Sequence, residues 1–301
     1  MFLARQSLPW GWILAVYPPM SDLTAAFAVH TQTSFPLAVD FRDDLLEGYH
    51  HRYFGPRMAL NRTRVKKILN AASVVSTATP AIADSLGKRY GTSGDKMVSV
   101  LNGYGTTWHV DHGQREKNRL RIVYAGAATE AQKPEVLVHA FRQLEKADPR
   151  SASKIDIAYF CPQSFHFKNR LAHLFGGSVR YGGFLPFDQV REEMVNADLL
   201  FLSLSGNRYA YAFPAKLADY VNAEKPVLAS LPEGFAKRLI TEKGLGMTVE
   251  AGNSDALSET LARIAKDPEI LDAYRRNVIA VKDEFSMEHQ VTKLAERLKS
   301  Y

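Results

Sequence analysis

The sequence is poor in cysteine: Cys161 is the only one among 301 residues, so an internal disulfide framework cannot form and a reducing compartment is the natural setting. Long hydrophobic runs are missing as well. The opening MFLARQSLPWGWILAVYPP sets Arg5 ahead of an apolar stretch from Trp10 to Tyr17, but Pro18 and Pro19 interrupt it at once. No small-residue cleavage site follows, and a bilayer span needs about 20 apolar residues, so the stretch is read neither as a signal peptide nor as a membrane span. No Gly-x-Gly-x-x-Gly follows any candidate strand, and YAGAAT offers a single glycine, which speaks against a dinucleotide-dependent oxidoreductase. Repeats and low-complexity segments are absent. His109 and His112 have no cysteine or carboxylate partners at zinc spacing, so no metal site is expected there.

What is present is ordinary globular material, 46% hydrophobic and 23% charged, long enough for two α/β domains. The net charge of +6 suits nucleic acid, an anionic membrane surface or a phosphorylated substrate and does not choose among them. Arg62, Arg64, Lys66 and Lys67 cluster, but Val65, Ile68 and Leu69 fall between them. The pattern reads first as an amphipathic helix with a solvated face; a membrane-surface patch is the sharper alternative.

Short β-rich runs alternate with helical stretches: WILAVY, a helix over 20–31, PLAVDF, a helix over 57–71, SVVSTA, a helix over 80–90, and MVSVLNG. Strands apolar on both faces and separated by helices belong in a parallel sheet with helices on both sides. Tyr104 to Arg119 is polar and lacks periodicity, as an interdomain linker would. The rhythm then restarts with LRIVYAG, KIDIAYF, SVRYGG, DLLFLSL, KPVLAS and GMTVE, which predict a second doubly wound domain. Helices are expected over 254–266, 268–283 and 286–300.

In such sheets ligands bind beyond the carboxyl ends of the strands, where loops lead into helix N-termini. Two of these junctions stand out. In YAGAATEAQKPEVLVHAF the strand ends at Gly126, where a ligand could approach the backbone, and Lys133 lies where a point charge could meet a phosphate. The plain alternative is a tight turn with a solvated lysine. In NRYAYAFPAKLADYVNAEKPVLAS, Pro214 suits a first helical position and leaves the amides of Ala215, Lys216 and Leu217 unpaired, an anion site to which Lys216 adds a full charge. Asp219 shares the face of Lys216 and could accept from ribose hydroxyls; the plain alternative is a surface i,i+3 ion pair.

These junctions, together with PLAVDFRDD, ASVVSTATPAIADSLGKRYG, KMVSVLNGYG and VRYGGFLPFDQVREEMVNADLLFLSL, resemble glycosyltransferase family 4, the retaining GT-B enzymes, over roughly residues 11 to 301. FPAKLADYVNAEKPVLAS carries most of the resemblance. It implies an α/β fold of the GT-B class, two Rossmann-like doubly wound domains with the N-terminal one incomplete. The expected division is a partial acceptor-side domain over 1–104, a linker over 105–119, a donor-binding domain over 120–283, and a C-terminal helix over 284–301 that packs back on the first domain. A complete member begins with a further strand, glycine-rich loop and helix, so ~70 to 100 residues are expected to be missing ahead of Met1, given the usual size of a domain.

The activity implied is transfer of a sugar, with retention, from a nucleoside diphosphate sugar to a glycan or lipid-linked acceptor, as in surface polysaccharide synthesis. No cofactor and no metal are implied, and no Asp-x-Asp motif of metal-dependent sugar transferases is found. The resemblance carries Lys133 onto the diphosphate lysine, Phe213, Pro214, Ala215 and Lys216 onto the phosphate-contacting turn, and Asp219 onto the ribose-holding acid; Lys133 and Lys216 are the catalytic candidates. Arg42 and Asp43 match an Arg-Asp pair near the family's interdomain cleft, either as an ion pair or as acceptor contacts. His50 and His51, beside Tyr49, Arg52 and Tyr53, are read as a solvated loop.

Two departures bear on activity. Where the family usually carries two glutamates eight positions apart, this chain has Tyr211 and Asp219, and Ala127 and Ala128 stand where an arginine often accompanies the lysine. The alternative reading is thus a catalytically impaired nucleotide-sugar-binding remnant. The remaining expectations are a cytoplasmic setting at the inner face of the plasma membrane, peripheral membrane contact, and no nucleic-acid partner.

Overall fold

The computed structural model describes residues 11–33, 35–44, 56–110 and 119–300, with only the backbone of 56–59. The opening segment through Trp10, the residues 49–53 around His50 and His51, and His112 fall outside the described residues. The chain divides into two compact units. The first comprises Met1–Asn102, Tyr211–Phe213 and Met287–Tyr301, and the second Gly103–Ala210 and Pro214–Ser286.

In the first unit, strands β1 (Ile13–Tyr17), β2 (Leu37–Phe41), β3 (Val74–Thr77) and β4 (Met97–Ser99) form one parallel sheet in the order β1-β2-β3-β4. Every residue of β2 and β3 is buried, as strands covered on both faces require. Helices α1 (Met20–Thr33), α2 (Pro56–Ala71) and α3 (Pro80–Tyr90) connect them. The bounds of α3 follow from its ends: Thr79 caps the start by accepting from the Ile82 amide at 3.2 Å, and Gly91 closes it in the left-handed conformation at φ 71°. The core gathers Tyr17, Leu23, Leu37, Phe41, Val65, Ile68 and Leu86.

The second unit holds β5 (Leu120–Ala125), β6 (Ile155–Phe160), β7 (Val179–Gly183), β8 (Leu199–Ser203), β9 (Val227–Leu231) and β10 (Gly246–Glu250). All are parallel, in the order β10-β9-β8-β5-β6-β7. Its helices are α4 (Glu135–Ala147), α5 (Pro149–Ala152), α6 (Phe187–Val195), α7 (Ala215–Asn222), α8 (Phe235–Glu242), α9 (Ser254–Lys266) and α10 (Ile270–Ala280). The apolar runs of β8 and β9 are buried throughout, and Leu137, Phe141, Leu257, Leu261 and Ile264 of α4 and α9 complete the core on one side.

Two expectations change here. The stretch read as a linker from Tyr104 belongs to the second unit through Val110: Trp108 and Val110 are buried, the Trp108 amide donates to Asn222 Oδ1 at 3.0 Å, and Asn222 Nδ2 returns a bond to Thr106 O at 2.9 Å. Polar, aperiodic sequence hid this because an asparagine over a hundred positions away supplies the missing partners. The expected helix over 268–283 stops at Ala280, and a 3₁₀ turn over Lys282–Phe285 turns the chain into α11 (Met287–Lys299), which belongs to the first unit.

Candidate donor site

Strand order in the second unit reverses at β5: β6 and β7 lie on one side, β8, β9 and β10 on the other. The loops leaving β5 and β8 therefore part at their carboxyl ends, the place where doubly wound sheets take ligands. From β5 the chain passes Gly126 and Lys133 into α4; from β8 it passes through 204–214 into α7. The Ser205 amide donates to Ala131 O at 2.7 Å, tying the two loops together.

Lys216 is the centre of this edge. Its ammonium lies 4.4 Å from the centroid of the Tyr124 ring and 3.2 Å from the Tyr124 hydroxyl, which itself donates to Ala127 O. The face of a tyrosine ring attracts a cation but does not neutralise it. No carboxylate lies within ion-pair distance of Lys216 among the described residues. Burial pulls the lysine pKa down to about 8, against weaker upward pulls from Cys161 and Asp219. Burial likewise raises Asp219 to about 6, opposed by Lys216. Cys161 is buried and pushed up to about 11, so it stays a thiol.

Gly126 has a different role from the one its position suggests. It holds φ +124°, and a Cβ added there would fall 2.2 Å from Lys216 Cε and 2.4 Å from Nζ. The glycine makes room for the side chain of Lys216 rather than leaving open backbone, because the lysine folds back across the end of β5. The surface i,i+3 pair is also absent, since the ammonium turns to Tyr124 instead of Asp219.

The helix start is smaller than expected. Pro214 stands one position earlier, as an N-cap with extended backbone at ψ 121°, and the Leu217 amide donates to Pro214 O at 2.9 Å. Ala215 and Lys216 remain as the first-turn amides without an intrahelical acceptor. Phe213 is buried in the first unit, where its carbonyl accepts from Asn102 Nδ2 at 3.4 Å.

Lys133 sits in the left-handed region at φ +40°, uncommon for a residue with a side chain and a form of strain that is enriched at ligand sites. Its ammonium is half exposed and 3.6 Å from Glu130 Oε2. Glu130 and Glu135 both reach His166, a buried ring with no motif to announce it. Tyr124 was equally silent, an aromatic at the end of an apolar strand.

Arg42 and Asp43 lie in the first unit. Arg42 Nη1 is 3.4 Å from Asp40 Oδ2 and Nη2 donates to Val100 O, so this guanidinium braces the carboxyl ends of β2 and β4. No group of three or more His, Cys, Asp or Glu able to hold a metal occurs among the described residues, and none of their helices is long and apolar enough to cross a membrane.

Comparison with known proteins adds the family. The model of the glycosyl transferases group 1 matches residues 107–281, more than half of the chain. Among curated proteins none matches the sequence. Solved structures share the fold: Anabaena HepE in complex with UDP (TM-score 0.74, 16% identity, covering 96% of this chain and 79% of that one) and a Rickettsia africae glycosyltransferase (0.69, 19%, 95% and 76%). A UDP-forming trehalose-phosphate synthase of Burkholderia vietnamiensis is similar as well (0.69, 12%, 96% and 71%). With two units of Rossmann-like parallel sheet, the GT-B fold class and this family match together, the chain belongs to the group 1 glycosyltransferases.

Proposed function

We propose that the chain transfers a sugar from a nucleoside diphosphate sugar, and that the second unit binds this donor. The observation that carries the reading is the ammonium of Lys216, drawn out of water beside a helix start and a strand reversal with no carboxylate among the described residues to neutralise it. A buried cation without a counter-ion is unstable until an anion arrives, and a diphosphate at the amides of Ala215 and Lys216 would supply one. Lys133 adds a second cation from the facing loop. Asp219, one turn along α7, accepts from ribose hydroxyls. Cations and amides would then carry the charge of the departing diphosphate without a metal.

UDP is the first nucleotide to test, because the HepE neighbour was solved with UDP and the Burkholderia synthase forms it. Retention at the anomeric centre and a glycan or lipid-linked acceptor follow from the family resemblance. Contact with the cytoplasmic face of a membrane is supported by the exposed Arg62, Arg64, Lys66 and Lys67 of α2, the second of which lines a groove of about 640 Å³ together with apolar Met20, Ala25, Ala28 and Leu60 and polar Thr24 and Asn61. A second reading, nucleotide binding without turnover, is favoured by Tyr211: it stands where the family usually has a glutamate, and it packs on the core of the first unit.

Calorimetric titration with UDP, GDP and ADP, without metal and then with magnesium, tests the donor site. Metal-independent binding of one nucleotide is expected. The Lys216→Ala variant should weaken it by about 1.5 to 3 kcal/mol, the range for a charged hydrogen bond, and an unchanged affinity would sink the role given to Lys216. Hydrolysis or transfer from the matching sugar nucleotide separates the enzyme from the binding-only reading.

A further inference from the structure

The loop that carries Lys133 is braced by two residues that follow β6. Ser164 Oγ donates to Ala128 O at 2.5 Å and accepts from the Phe167 amide at 3.1 Å. His166, its side chain 6% exposed, lies between two carboxylates. Nδ1 is 3.2 Å from Glu130 Oε1, and Nε2 is 3.0 Å from Glu135 Oε2. A carboxylate only accepts, so both contacts are hydrogen bonds when both ring nitrogens carry hydrogen. The other oxygen of Glu130 is the one 3.6 Å from Lys133 Nζ. One carboxylate is thus shared between a buried ring and an exposed ammonium. His166 also stands at the start of a π-helical turn over Phe167–Leu171, an irregularity frequent at functional sites.

We propose that His166 is a positioning residue for Lys133: it holds Glu130 from the buried side and Glu135 at the first turn of α4, so that the lysine ammonium stays available to a diphosphate. The proposal rests on the donor-site reading of Lys133. Without the ring, Glu130 loses its second partner, and its ion pair with Lys133, 3.6 Å long here, is free to tighten and hold the ammonium for itself. The hydrogen bond from His166 is the foremost influence holding the Glu130 carboxyl below its ordinary range. Ser164 limits the damage to the backbone, because it anchors Ala128 independently of the ring.

The test uses the full chain, with calorimetric affinity for UDP and for UMP and a melting curve for each variant. His166→Ala should weaken UDP about tenfold, the size of one charged hydrogen bond, while UMP, which lacks the second phosphate, changes by less than about twofold. Asparagine places its amide nitrogen near Nδ1 and glutamine near Nε2, so His166→Asn, which keeps the bond to Glu130, should retain more UDP affinity than His166→Gln. That order decides the matter even if His166→Ala fails to fold. A parallel fall for UDP and UMP, or His166→Gln equal to or better than His166→Asn, overturns the positioning role while leaving the donor site standing. A wild-type chain that binds neither UDP nor UMP overturns the donor-site reading and this proposal with it.

Discussion

The two units are built from the same βαβ rhythm, yet strand order separates them. In the first, the described strands follow one another across the sheet as β1-β2-β3-β4, with no reversal. In the second, the order turns back at β5, and the end of β5 with Tyr124 and Gly126 meets Lys216 at the start of α7. The edges differ too. β1 exposes Leu14 at 52% and Val16 at 38%, whereas Gly246, Met247 and Val249 of the edge strand β10 are buried. Alternation of strand and helix therefore yields a layered scaffold in both units, and among the described strands the loops part to either side only in the second, where the direction of winding changes.

The largest test of this contrast is packing. Phe141→Ala removes a fully buried ring from the shared core of α4 and the sheet, and should lower stability by about 3 to 5 kcal/mol in denaturant unfolding. A much smaller loss would mean that the second unit relaxes where it is taken to be rigid.

Gly126→Ala probes the junction where β5 meets Lys216. The new methyl would occupy the path of Lys216 at a backbone φ that disfavours side chains, so UDP affinity should drop by about 1.5 to 3 kcal/mol, as for loss of the charged contact. Retained affinity would show that Lys216 reaches the ligand by another route.

The charges give a smaller, pH-dependent effect. Lys216 is lowered from 10.5 to about 8, so the folded chain releases this proton while the unfolded one still holds it, and the stability of the free protein should rise between pH 8 and 10.5. Asp219 is raised from 3.8 to about 6, so its contribution falls as pH climbs through that range. Both charges are present between about pH 6 and 8, where the empty site is strained most and nucleotide affinity should peak. At pH 9, binding of UDP should take up a proton, seen as a dependence of the calorimetric heat on buffer ionisation, and Lys216→Ala should abolish it.

The smallest effect belongs to the exposed edge of the first unit. Leu14→Ser should change stability by no more than about 0.5 kcal/mol, as exposed positions do. A larger loss in the full chain would mean that something covers β1.

Much of the molecule was legible before the structure. The six strands from LRIVYA to GMTVE and the bounds of α3 follow from local apolar period, a capping threonine, a proline and a glycine, all within a turn or two of one another. Lys133, Lys216 and Asp219 were legible as types at loop-to-helix junctions, though not in their contacts. Gly126 was placed correctly as a point of close approach and wrongly as to what approaches, because its neighbour in space is 90 residues away. His166 gave no signal, since its partners come from a different strand and loop.

The sequence by itself determined the alternation of elements, the family resemblance and the positions where charge meets a helix start, because each of these depends on near neighbours along the chain. Only the tertiary structure decided that winding reverses at β5, that Trp108 packs into the second unit, that Lys216 lies over Tyr124 with no counter-ion among the described residues, and that one carboxylate serves both His166 and Lys133. Those are contacts across tens of residues, set by how buried faces must be covered, and no local pattern encodes them.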